Sequence, residues 1–199
     1  MLNIENILRR LSIRRPIFHS EADFQHEFAW ELRTLRPELS IRLEYPKRGI
    51  GEIDIVVSEG TEECLIELKY KTRCVQQSWN GEDFALCGHA ATPLGRYDAI
   101  KDISRIERSG LLGYAIFLTN EPSYWRASAK GNGAAFSTHE LRTFDRCTLN
   151  WATIRPGSVG ALRISPITLQ GVYVCRWQDY SAIGNKPFRF LCTTVSKRV

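Results

Sequence analysis

The sequence predicts a single mixed α/β domain in which a helix, three strands, a second helix and a fourth strand precede a β-rich C-terminal extension. Three observations carry this. Apolar residues recur at helical spacing over 20–36 and 97–106, and residues 40–57 and 64–70 largely alternate in period two. Leu112–Thr119 is a nearly continuous apolar run of strand length, as in a strand covered on both faces of a sheet. With 199 residues, 43% of them hydrophobic and 25% charged, the chain can bury one independent core and has an ordinary globular composition. We place the core at about residues 20–119 and the extension at about 120–199, all within one domain.

Each element has a local cause. Ser20, followed by Glu21 and Asp23, is a capping hydroxyl with an acidic first turn that complements the helix dipole, and Pro37 closes the helix. Phe24, Phe28, Leu32 and Leu35 form its apolar stripe, widened by Ala29 and Trp30. Ser40–Tyr45 and Glu52–Val57 alternate on either side of a break at Pro46–Gly51, so they are two strands and a turn. Ser58–Glu62 is the next turn, and Cys64–Tyr70 a third strand, the hairpin partner of the second. Residues 71–95 have few periodic apolar positions and several glycines, which predicts a long functional or partly ordered loop. Tyr97, Ile100, Ile103 and Ile106 give the second helix its apolar face, and Gly110 ends it. Beyond Asn120 the punctuation by Gly131–Gly133 and Pro156–Gly157 leaves the elements short. Val172–Trp177 and Phe188–Thr194 are the two late strands, extending the sheet or packing beside it.

Composition excludes several classes. The N-terminal Met1–Leu11 is amphipathic and charged, without the apolar run and cleavage site of a secretory leader, and no segment is apolar over membrane-spanning length. A cytoplasmic protein with no membrane partner is expected. Twenty-seven Lys and Arg against twenty-two Asp and Glu suit a polyanionic partner without requiring one. Six cysteines are scattered without a paired spacing, which favours buried reduced thiols. Cys74, Cys87 and His89 lack the spacing of a metal knuckle, so no structural zinc is expected. The sequence has no Gly-x-Ser-x-Gly elbow, Walker loop or His-Glu-x-x-His motif, and its four histidines are isolated.

The chemistry resides in the second and third strands. Glu67 and Lys69 stand two apart and project to one face, with Ile66, Leu68 and Tyr70 on the other. Glu52 and Asp54 share a face of the second strand, opposite Ile53, Ile55 and Val57. A favourable hairpin register then brings Asp54, Glu67 and Lys69 together. Adjacent carboxylates repel unless a divalent cation sits between them, and oxygen ligands suit Mg2+ or Mn2+. Such an ion can neutralise a phosphate and activate water, while Lys69 orients that water or offsets phosphate charge. The bland alternative is an exposed hairpin face on which Lys69 merely pairs with a neighbouring carboxylate.

The order of elements, with Asp54 in Glu-Ile-Asp-Ile-Val and Glu67 and Lys69 in Ile-Glu-Leu-Lys, resembles the PD-(D/E)XK nuclease superfamily over roughly residues 20–119. The resemblance implies a restriction-endonuclease-like αβββαβ core, a central mixed sheet flanked by helices. It also implies Asp54, Glu67 and the Leu68 carbonyl as metal ligands, with Lys69 completing the catalytic set. Ile53 stands where the motif has proline, which leaves the chemistry intact.

Many members add an acid from the first helix. Glu21, Glu27 and Glu31 are candidates, and Glu21, four residues from Gln25 beside the Phe24/Phe28 stripe, is preferred over the second pair. The opposing view is that Glu21 serves only the helix dipole. In the second helix Arg96, Tyr97, Lys101 and Arg105 offer phosphate contacts, though Asp98, Asp102 and Glu107 alternate with the bases as on a solvated face. Arg96, Tyr97, Lys101 and Gln25 are the expected nucleic-acid contacts. The segments Gln76–Phe84 and Tyr124–Gly133 join aromatics to polar residues and could clamp a strand, or Trp79 and Trp125 could anchor loops to the core. The expectation is a Mg2+- or Mn2+-dependent endo- or exonuclease acting on DNA before RNA, with a homodimer left open. The alternative is a catalytically dormant nucleic-acid-binding or interaction module of the same fold.

Overall fold

The computed structural model describes residues 2–88, 91–127, 133–152 and 163–197. The first element is α1 (Ile4–Arg14), capped by the Asn3 side chain, which accepts from the Asn6 N–H. The sequence shows this segment only as an amphipathic, charged stretch. Ile4, Ile7, Leu8 and Leu11 are buried at helical spacing. The helix lies against α2 (Glu21–Leu35), whose Ser20 cap accepts from the Asp23 N–H as expected. Glu27 and Glu31, the acids turned away from the candidate site, pair with α1: Arg10 Nε is 2.6 Å from Glu31 Oε1, and Arg14 Nη2 is 3.0 Å from Glu27 Oε2.

Three strands follow, β1 (Ser40–Lys47), β2 (Gly51–Glu59) and β3 (Glu62–Lys71), as the alternation predicts. Residues 71–95 are not a loop. They contain a hairpin of β4 (Val75–Trp79) and β5 (Glu82–Leu86), and the start of α3 (Thr92–Ser109). The hairpin turns on Asn80 and Gly81, both at positive φ (49° and 80°), the backbone that Asn-Gly favours in a two-residue turn. Its buried positions are Val75, Phe84 and Leu86, and the His19 ring stacks on Phe84 at 4.4 Å. Gly110, at φ 72°, ends α3 in the left-handed conformation.

β6 (Leu112–Thr119) comes next, and short paired segments β7 (Thr143–Asp145), β8 (Thr148–Leu149), β9 (Ile167–Thr168) and β10 (Val172–Val174) fill the middle of the extension. β11 (Trp177–Ile183) and β12 (Lys186–Val195) complete the chain. The central sheet has six strands in the order β1-β2-β3-β6-β12-β11. All neighbours are antiparallel except β3 and β6, which run parallel across the connection through the hairpin and α3. Of the two expected late strands, Phe188–Thr194 lies within β12, which with β11 extends the central sheet, whereas Val172–Trp177 is broken after Val174: β10 pairs with β7 beside the sheet and Trp177 begins β11.

The molecule is therefore mixed α/β, with a mixed sheet covered on both faces. One core joins α1, α2 and the β4–β5 hairpin to Ile55, Val57, Ile66, Leu68, Tyr70, Ile116 and Phe188. The other joins α3 and the extension to Val56, Leu65, Phe117 and Leu191. Ile53 belongs to this second core and not, as alternation predicts, with Ile55 and Val57, so β2 rotates at Asp54. Cys64 and Cys175 are buried free thiols, but Cys74 and Cys87 are exposed; His89 lies outside the described residues. Among the described residues no helix is long and apolar enough to cross a membrane.

Gly113 shows how closely α3 sits on the sheet. A Cβ there would lie 2.5 Å from Ile106 Cγ2 and 2.6 Å from the Leu65 carbonyl oxygen, and the carbonyl belongs to a strand that cannot yield. Gly113→Ala is expected to destabilise the fold by about 2 to 3 kcal/mol in urea titration, the upper part of the range for overpacking.

Candidate active site

The site begins where the sheet opens. β2 and β3 pair in regular register from Glu59↔Glu62 to Ile55↔Ile66, and the ladder stops there, one step before Asp54 would face Glu67. β3 continues to Lys71 along β6, so its edge toward β2 loses its strand partner. Side chains take over. Asp54 Oδ2 accepts the Leu68 N–H at 2.6 Å, and Glu21 Oε2 accepts the Tyr70 N–H at 2.8 Å. Gln25 Nε2 donates to the Asp54 carbonyl at 2.6 Å, tying the diverging strand to α2. Two carboxylates thus satisfy backbone donors that would otherwise be left open.

On the α3 side of β3 stand Glu67 and Lys69, as the alternation predicts. Glu67 is fully buried, and neither carboxylate oxygen accepts a hydrogen bond; its ion-pair partner is Arg105, with Nη1 3.1 Å from Oε1. Burial, with the Asp102 and Asp54 carboxylates nearby, pushes Glu67 up to about 9 against the pull of Arg105 and Lys69. Burial likewise raises Asp54, with Lys69 opposing. Lys69 Nζ donates to the Leu68 carbonyl at 3.1 Å and lies 3.2 Å from Asp102 Oδ2 and 3.6 Å from Glu21 Oε1. Burial works against its charge, but Asp102, Glu21, Asp54 and Glu67 together hold it above the ordinary lysine range.

Asp102 is the member that sequence reasoning missed as a site residue. It is buried on α3 and raised to about 6 by burial, with Lys69 pulling the other way; its Oδ1 is 3.5 Å from Arg105 Nη1. The expected i,i+3 pair with Arg105 exists, but its setting is the site and not a solvated face. Arg105 also donates to the Glu52 carbonyl. The available signal was spacing: Asp102 and Arg105 flank Ile103 and Ile106 of the apolar stripe, so both border the sheet.

A cleft of about 610 Å³ opens from this cluster, lined by Glu21, Lys69, Lys71, Asp102 and Arg105 within the site and by Lys101, Arg108 and Arg163 farther out. Lys101 and Arg108 are exposed and, among the described residues, without an ion pair, whereas Arg163 is held by Asp98 at 2.6 Å. Of the expected nucleic-acid contacts only Lys101 lines this cleft. Arg96 is buried and donates to the Ser123 carbonyl; Tyr97 is buried, stacks on Trp151 at 5.8 Å and donates to the Ser165 carbonyl. Both belong to the apolar contact of α3, which turns them inward. Gln25, also buried, is a backbone brace for Asp54. Trp125 is a core anchor packed on Trp177, while Trp79 remains partly exposed on the hairpin; residues 128–132 of the other proposed clamp lie outside the described residues.

The residues fit a divalent cation in part. Two carboxylates and one backbone carbonyl, those of Asp54, Glu67 and Leu68, suit Mg2+, which binds through one or two carboxylates and keeps several waters. The buried, unbonded oxygens of Glu67 are the observation in favour. Among the described residues no three His, Cys, Asp or Glu side chains are gathered closely enough to hold a metal by themselves. No family model, curated protein or solved structure matches the chain.

Proposed function

We propose that this protein is a metal-dependent nuclease of the PD-(D/E)XK type, with a restriction-endonuclease-like core, hydrolysing phosphodiester bonds in DNA. The observation that carries the reading is Glu67: a fully buried carboxylate without hydrogen bonds, one register step from Asp54 and two residues from Lys69. The order α2, β1, β2, β3, α3, β6 and the parallel pairing of β3 with β6 support the same reading.

Asp54, Glu67 and the Leu68 carbonyl would hold Mg2+ or Mn2+, which when bound lowers the pKa of a water and stabilises charge on a phosphate. The chain supplies the rest. Lys69 is fixed at the cleft wall with its ammonium charged, so it donates to a phosphate oxygen and offsets charge that develops there. Glu21 orients Lys69 and Lys71, whose Nζ lies 3.4 Å from Glu21 Oε2. Lys101 and Arg108, seven residues apart on one helix, are free to contact flanking phosphates.

One observation favours a dormant binding module of the same fold: Arg105 stands on the Glu67 oxygen that a cation would need. Incubating the purified protein with double- and single-stranded DNA and with RNA separates the readings. Fragmentation in Mg2+ or Mn2+ that stops on chelation is the expected result. Mn2+ binding by calorimetry without cleavage of any substrate would favour the dormant module, and the absence of both would end the nuclease reading.

A further inference from the structure

We infer that Asp102 is a positioning residue that aims Lys69, so that α3 takes part in the proposed chemistry through a carboxylate that itself touches neither metal nor phosphate. The inference rests on the nuclease reading and extends it to a residue outside the Asp…Glu-x-Lys set.

Lysine is a flexible four-carbon stem carrying a point charge, and on an open strand its ammonium would sample many rotamers. Here Lys69 Nζ has three partners arranged around it. The Leu68 carbonyl comes from its own strand, Glu21 Oε1 from α2 on the far face of the sheet, and Asp102 Oδ2 from α3 on the near face. The first is needed elsewhere, and the second is the longer contact. The Leu68 carbonyl is a candidate cation ligand, and the second oxygen of Glu21 is already shared between the Tyr70 N–H and Lys71.

Asp102 is different in its surroundings. Its side chain is 6% exposed, so water competes little for it, whereas the side chain of Glu21 is 38% exposed. Its other oxygen faces Arg105, and Arg105 faces Glu67, so one buried carboxylate stands against both cations of the cluster. Asp102 also sits on the same helical turn as Ile103 and Ile106, which are packed against the sheet. The carboxylate is therefore held by the core, and Lys69 inherits that rigidity.

A second possibility for such a group is direct cation binding, and the geometry argues against it. Both Asp102 oxygens face cationic side chains, Arg105 at 3.5 Å from Oδ1 and Lys69 at 3.2 Å from Oδ2, which accepts no hydrogen bond, and Asp102 stands on α3, off the β2–β3 edge that carries Asp54, Glu67 and the Leu68 carbonyl.

The test compares wild type, Asp102→Asn and Asp102→Glu, each checked for an unchanged fold by circular dichroism and thermal melting. With DNA and Mg2+, Asp102→Asn is expected to lower kcat at least about tenfold with KM within about twofold, and Asp102→Glu to recover part of the loss. Titration with Mn2+ alone is expected to give the same Kd within about twofold for wild type and Asp102→Asn. A tenfold weaker Kd would make Asp102 a ligand and overturn the proposal, as would undiminished kcat. Should wild type cleave nothing, the nuclease reading fails by itself and the positioning claim is read separately. The side-chain ammonium of Lys69 is expected to give a slowly exchanging NMR signal in wild type that disappears in Asp102→Asn. A signal unaffected by the substitution would overturn the claim.

Discussion

Asp54→Asn is expected to reduce Mg2+-dependent DNA cleavage by at least about a hundredfold, the scale on which a charge-stabilising group at a reacting centre is missed, with little change in thermal stability. The choice of asparagine matters. Asp54 accepts the Leu68 N–H at the point where β2 leaves β3, so it is both a candidate cation ligand and a structural acceptor. Asparagine keeps an oxygen for that amide and removes only the negative charge. Asp54→Ala would remove both, leaving a backbone donor in a half-closed edge without its partner at a cost of about 1 to 3 kcal/mol. A hundredfold loss in Asp54→Asn with a melting temperature within a few degrees of wild type therefore isolates the chemistry. Retention of more than about a tenth of the activity would remove Asp54 from the catalytic set.

Phe188→Ala is expected to destabilise the protein by about 3 to 5 kcal/mol in urea unfolding, in the range for emptying a buried aromatic site. Phe188 lies on β12, in the extension, and is fully buried against the core that contains α1 and α2. Its ring stacks on Tyr70 at 6.3 Å and 14°, and the Tyr70 hydroxyl donates to the Phe18 carbonyl at 3.1 Å. Tyr70 is also the residue whose amide Glu21 accepts. The substitution thus removes packing directly beneath the site from a segment remote in sequence. A change below about 1 kcal/mol would mean that the extension is an accessory to the core and not part of it.

The strands bearing Asp54, Glu67 and Lys69 were legible because period-two alternation is a local property that the backbone enforces residue by residue. The placement of Glu21 beside β3 was legible from its position on the helix, four residues from Gln25. What failed depended on contacts distant in sequence. Ile53 changes core because β2 rotates where its ladder with β3 ends, and nothing within the strand announces that end. Arg96 and Tyr97 looked like cleft residues by composition, yet Tyr97 also belongs to the stripe with Ile100 and Ile103, and packing of that stripe carries Arg96 under the extension. Asp102 read as one half of a surface pair because its other partner, Lys69, stands on another element. The β4–β5 hairpin is the exception: Asn80-Gly81 between Val75 and Phe84 was a local turn signal, obscured by the polar run Gln76–Ser78.

The opening of the sheet at Asp54 and Glu21 has a consequence for how such a site could fail. Two acids act there as substitute strand edge, each closing a main-chain amide of β3 that its neighbour strand abandons. The residues assigned to the reaction thus include two that seal the architecture. Fraying of that edge would therefore disturb the site along with the sheet.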